Sequence, residues 1–283
     1  MMKISISFVM RVVNLLLVVL GISISTLAYG HEFWIEAKDW QLQPGEDIRL
    51  SLRVGTDFKG LEQIYFPQKI NRFDWVTPKA SAPFKGRLGD MPAGVMRPET
   101  EGLYIIRHET MPDRVDYETL DQFERFAAKK GYPEAVARHR ERQLPASGFR
   151  EIYRRFAKAL VAVGDGQGND QRLGMEVEIT ALNNPFHLSD RMLKLQLHRD
   201  GKPWSGARVT VFARVLDAGD GAAEVAVQQT DADDKGLVTL EIRPGFVYLI
   251  DAVSLEEINP DHNQDAAVWS SRWASLTFAV PLP

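Results

Sequence analysis

The sequence predicts a mainly β protein built from two antiparallel β-sandwiches, the first carrying a helical insertion. Three observations predict it. Short runs of alternating apolar residues recur through both halves of the chain. Proline and glycine punctuate them at turn-like intervals. One charged stretch, residues 117–162, shifts instead to helical spacing.

In the first half, residues 47–54 place Ile48, Leu50, Leu52 and Val54 on one face, after a Pro44-Gly45 turn. Residues 102–108 read as another strand, ending at His108. Between them Pro78, Pro83, Gly86, Gly89, Pro92 and Gly94 imply sizeable loops. In the insertion, Leu120, Phe123 and Ala127 fall on one helical face, and Gly131 stops that helix. Pro133 opens a second helix running from Glu134 to about Arg142. Ile152, Phe156 and Ala159 repeat the spacing and predict a third. Residues 164–170, rich in Gly, Asp and Asn, read as a flexible linker. Beyond it, runs at 176–180, 192–198, 207–213, 236–242, 246–252 and 275–280 suit a second, seven-strand-like sandwich. The domain expectation is therefore 1–30 a signal peptide, 31–168 the first sandwich and 169–283 the second.

The chain has 283 residues, six histidines and no cysteine. A disulfide framework, a thiolate metal site and a cysteine nucleophile are excluded together. Residues 1–30 have a basic start at Lys3 and Arg11, an apolar run from Val12, and the ending Ala28-Tyr29-Gly30. This is the layout of a secretory signal peptide cleaved after Gly30, with an uncleaved anchor as the alternative. It predicts a periplasmic protein. Removing two of the 34 basic residues and none of the 38 acids leaves 32 against 38, a side-chain charge of −6. A mildly acidic secreted chain is a poor nucleic-acid binder.

Cleavage would make His31 the first residue. Its α-amine and ring Nδ1 can then chelate one ion, because both lose their protons readily near neutral pH. Nitrogen ligands of this kind suit Ni(II), Co(II) and Cu(II). His108, at a strand end, and His262, in the polar loop 259–265, are the further candidate ligands. His139 lies between Arg138 and Arg140, which would repel a cation. His187 and His198 read as turn residues. The acidic run 231–236 fails as an EF-hand loop, because the fifth and twelfth places counted from Asp231 are Lys235 and Ile242. No Gly-x-Ser-x-Gly elbow, His-Glu-x-x-His helix or phosphate loop is present. Trp269 and Trp273 share a face if extended, which suits core packing.

Several segments resemble one family. These are His-Glu-Phe-Trp-Ile at 31–35, Glu-Ile-Tyr-Arg-Arg-Phe-Ala-Lys-Ala-Leu at 151–160, Gly-Met-Glu-Val-Glu at 174–178, Gly-Lys-Pro-Trp-Ser-Gly-Ala at 201–207, and the ending at 269–278. The family comprises secreted bacterial proteins with a domain of unknown function, described as periplasmic components of cobalt or nickel uptake. The resemblance implies an immunoglobulin-like or prealbumin-like second half. It also implies a periplasmic binding or accessory role in transition-metal supply, and the reading adopted from it is a non-enzymatic protein that binds nickel or cobalt, with copper as a further candidate, for a membrane transporter. Of the candidate ligands, it assigns a role to His31 alone. Two other functions stay open: a copper enzyme built on an N-terminal histidine brace, and a structural or adhesive envelope module.

Overall fold

The computed structural model describes residues 31–216, 224–280 and 282. The expected signal segment lies outside the described residues. The first half contributes strands β1 (Glu32–Ala37), β2 (Gln41–Leu42), β3 (Ile48–Thr56), β4 (Lys59–Gln63), β5 (Ile70–Val76), β6 (Ser81–Pro83), β7 (Gly94–Met96), β8 (Gly102–Thr110) and β9 (Asp113–Tyr117). Two helices follow, α1 (Leu120–Lys129) and α2 (Ala135–Glu141), then the long strand β10 (Phe149–Val163). The remainder gives β11 (Val177–Ala181), β12 (Met192–Arg199), β13 (Lys202–Pro203), β14 (Arg208–Val215), β15 (Ala226–Asp231), β16 (Leu237–Glu241), β17 (Phe246–Glu257) and β18 (Trp269–Val280). The protein is mainly β and sandwich-like.

The layers are three. A ten-stranded mixed sheet runs β15-β14-β17-β18-β10-β8-β5-β6, with β2 and β9 also paired to β10. A small sheet of β1, β3, β4 and β7 packs on one face, and a second of β11, β12, β13 and β16 packs on the other. Side-chain alternation along the central strands fixes which residue meets which layer. Phe156 and Leu160 of β10 join the core under the second small sheet. Ala157, Ala159 and Val161 join the core under the first. A third cluster forms where α1 and α2 cover the sheet end, around Phe123, Trp269 and Trp273. The two tryptophans are thus core residues, as their spacing suggested.

Two expectations are overturned. The third helix is strand β10, which pairs in parallel with β18 and antiparallel with β8 and β9. Its segment Phe156–Val163 is buried throughout. A strand covered on both faces loses the polar alternation that marks a strand, so its apolar run mimics a helix face. The stretch 164–170 is not a free tether either. The backbone N–H of Gly164 donates to the Leu42 carbonyl, that of Leu103 to Gln167, and the Asn184 amide to Gly166 and Gly168. Its glycines supply positive-φ turns. The boundary expected at 168 therefore falls beside a sheet in which strands from both sides of it are neighbours.

The turn at 231–236 is structural as expected. The Asp233 carboxylate accepts the backbone N–H of Lys235 and of Leu237, each at 2.8 Å.

Candidate functional site: the cleft at the start of the first strand

Strand β1 begins at Glu32, directly after His31, and among the described residues pairs with β3 alone. Alternation sends Glu32 one way and His31 and Phe33 the other. Glu32 enters a buried ion cluster, in which Lys130 Nζ reaches Glu32 Oε1 at 2.8 Å and Asp251 Oδ2 at 2.7 Å. The Glu32 carboxylate also accepts the Asp57 backbone N–H at 3.2 Å. The two carboxylates outweigh burial and hold the Lys130 ammonium above its ordinary pKa. Burial, reinforced by Glu32, pushes the Asp251 carboxyl up. This cluster fixes where β1 starts, and with it where His31 sits.

On the opposite side of β1, His31 and Phe33 face a cleft of about 400 Å³. One wall is the first small sheet, through Leu52 and Val54. The other is the central sheet, through Ile70, His108, Tyr153 and Arg155. His31 and His108 line this one cleft. His108 is 2% exposed, with its ring 5.0 Å from that of Phe33 and 5.2 Å from that of Phe73. Among the described residues neither of its nitrogens has a hydrogen-bond partner. Burial pushes its pKa down to about 3, so the imidazole is neutral and offers a lone pair at any ordinary pH. Burial, and then the nearby Arg155 charge, also lower the pKa of the His31 ring. Arg155 Nη2 donates to the His31 carbonyl at 3.3 Å, and its guanidinium lies over the Tyr153 ring at 4.5 Å. Lys69 and Asp113, also on the cleft wall, pair at 2.7 Å. Burial favours the neutral Asp113 acid, but the Lys69 hydrogen bond and the Arg114 N–H outweigh it and hold its pKa low.

The other histidines lie elsewhere. His262 ends a 3₁₀ turn, Pro260–His262, in the loop between β17 and β18 and does not line the cleft. The structure therefore brings His31 and His108 together and leaves His262 out. His139 is a core residue: it accepts the Trp269 indole N–H at Nδ1 (3.0 Å), which leaves Nε2–H to donate to the Pro145 carbonyl (2.9 Å). His198 sits within β12, ahead of the Asp200-Gly201 turn instead of inside it. Among the described residues no three His, Asp or Glu side chains converge to hold a metal ion.

The chemistry of the donors nonetheless suits one ion. A chain cut before His31 would supply an α-amine and a ring nitrogen there, and His108 a third nitrogen whose lone pair no other described residue uses. Sequence reasoning missed Tyr153, Arg155, Lys69 and Asp113 as cleft residues. The signal was present, since Tyr153 and Arg155 are two apart on one face of a strand, but it is invisible while the segment is read as a helix.

A family model described as a domain of unknown function, DUF4198, matches residues 28–256. No curated protein matches the chain. Among solved structures, the chain is similar to the native conformation of E. coli alpha-2-macroglobulin, at 12% identity and a TM-score of 0.22. That match covers 89% of this chain and 14% of the other. A tetra-tandem repeat from the extending region of a large adhesion protein matches at 8% identity and a TM-score of 0.22, over 89% and 50% of the two chains. A DUF3823 family protein from Bacteroides uniformis matches at 11% identity and a TM-score of 0.21, over 89% and 100%. The chain thus spans half or less of the length of the first two.

Proposed function

The chain belongs to the DUF4198 family, and we propose that it is a periplasmic binding protein for nickel or a similar late divalent ion, cobalt and copper included. The ion is cargo, accepted or delivered for a membrane uptake system, and no turnover is needed. The ligands are the His31 α-amine and ring, freed by cleavage after Gly30, and His108. The observation that carries this reading is the His108 imidazole, buried on the wall of the cleft that His31 lines, with both nitrogens unpartnered. A buried polar group without a partner costs about 1–3 kcal/mol, and a site that ligates an ion accounts for that cost. Arg155 favours the neutral, ligating form of His31.

The test is calorimetric titration of nickel into the chain beginning at His31 and into the same chain with Gly30 retained. The extra residue turns the amine into an amide, and affinity falls by about tenfold or more, equivalent to roughly 1.4 kcal/mol. Equal affinity in the two forms contradicts the proposal.

One observation favours a second reading. Tyr153 stands on the same wall as His108, and two histidines with a phenol suit a copper enzyme as well as a carrier. Peroxide formed by the copper-loaded protein with ascorbate, abolished in His108→Phe, would favour the enzyme.

A further inference from the structure

Strand β10 carries four basic residues, and three have carboxylate partners. Arg150 pairs with Asp116, Arg154 with Glu176, and Lys158 with Asp170 and Glu178. Arg155 makes no ion pair among the described residues, and its buried Nε has no hydrogen-bond partner. It is the one of the four that faces the cleft. The charged residues of the cleft wall are Lys69, Arg155 and Asp113, two cations against one anion, so the wall carries one surplus positive charge. That charge sits beside His31, where it opposes a bare dication.

The cleft is also far larger than an ion. Its volume of about 400 Å³ lies in the range of sites for small organic molecules, roughly 300–1,000 Å³. Ile64, Phe66 and Met111 stand at its mouth. Apolar walls lower the local dielectric and strengthen the pull of the Arg155 guanidinium on an anion.

We propose that the cleft takes its metal ion as a complex with a small organic polycarboxylate, and that Arg155 receives a carboxylate of that chelator. A guanidinium and a carboxylate match in planar, two-bond geometry. The chelator neutralises Arg155 and the ion together, which removes the repulsion between them. This rests on the metal-binding reading above. It specifies that the substrate is an anionic chelate instead of a hydrated ion.

The probe is citrate, measured by equilibrium dialysis of labelled citrate against the chain beginning at His31, with and without equimolar nickel. Nickel bound to the protein is quantified in parallel. One citrate is retained per bound nickel, more tightly than citrate alone, and at least about tenfold more tightly by wild type than by Arg155→Gln, the change expected from one charge-assisted hydrogen-bond pair. Arg155→Gln loses that retention and takes bare nickel more tightly, because the opposing charge is gone. Arg155→Lys keeps part of the retention and serves where the glutamine variant does not fold. With both present, nickel bound while no citrate is retained beside it, or citrate retained equally by the glutamine variant, overturns the chelate proposal and leaves the metal reading standing. Absence of nickel binding in every form overturns both.

Discussion

On the proposed metal reading, His108 is the residue at which stability and binding pull apart. Its imidazole lies between Phe33 and Phe73, buried, with two unpartnered nitrogens. A phenylalanine there fills similar space without the unmet polar groups. His108→Phe is therefore expected to raise the midpoint of thermal unfolding, or leave it unchanged, while nickel affinity falls by about tenfold or more. A loss of stability would show that the ring is held for packing. Glu151 makes a second prediction. It is buried, accepts the Tyr117 hydroxyl at 2.8 Å and a Ser271 hydroxyl bond, and its pKa is pushed up to about 7, chiefly by burial. A carboxyl raised in the folded state stabilises fully below its unfolded pKa, and that contribution is lost as pH rises through the folded value. Wild type is thus expected to lose about 3 kcal/mol relative to Glu151→Gln between pH 4.5 and 7.5, at about 1.4 kcal/mol per unit, measured by urea unfolding at both pH values. Of these residues, the sequence exposes His31 by its place after the predicted cleavage site and His108 by its place at a strand end. It does not reveal that they share a cleft, because the loops between β3 and β8 carry no mark of how they return. His262 looked equally good in sequence, since a histidine among loop acids has the same local text whether or not a partner faces it.

Among elements, β10 decides most. It holds the middle of the central sheet, contributes to both large cores, and presents Tyr153 and Arg155 to the cleft. The strands β3, β8, β12, β14, β16, β17 and β18 were legible because turn residues bound them and, for β3, one face is polar. β10 was not, since Ile152, Phe156 and Ala159 fit a helical spacing while the burial of both faces erased the alternation. Helix α1 was legible down to its stop at Gly131, where φ is +93°. Its role was not, for only the fold shows that its capping residue Lys130 reaches across to Glu32 and Asp251 and lies over the Trp273 ring at 4.6 Å. Lys130→Met strands two buried carboxylates and is expected to destabilise by about 3–5 kcal/mol. Because Glu32 anchors the start of β1, nickel affinity falls with it. The triple change Lys130→Met, Glu32→Gln, Asp251→Asn removes the uncompensated charge and recovers most of the stability. Urea unfolding of the three proteins checks this, and equal stability of wild type and Lys130→Met would contradict the clamp.

At the scale of the whole molecule, two sandwiches share one middle layer. The first core includes Phe212, Val247, Leu249 and Ala279 from the second half, and the second core includes Leu103, Ile105, Phe156 and Leu160 from the first. Two sandwiches in succession, the sequence expectation, would predict two separable transitions. The shared sheet predicts one, with calorimetric and van't Hoff enthalpies equal. Sequence text records how many strands there are and where turns fall, but parallel pairing of β10 with β18, more than a hundred residues apart, leaves no local trace. The same closure brings β1, β8 and β10 around a single cleft, so the arrangement of the layers places His31 and His108 on its walls. The direct test of that placement is electron paramagnetic resonance of Cu(II), which shares the preference for nitrogen ligands, bound to the chain beginning at His31. Hyperfine structure from three nitrogens in wild type, reduced to two in His108→Phe, is the predicted result. Identical spectra from the two proteins would contradict it.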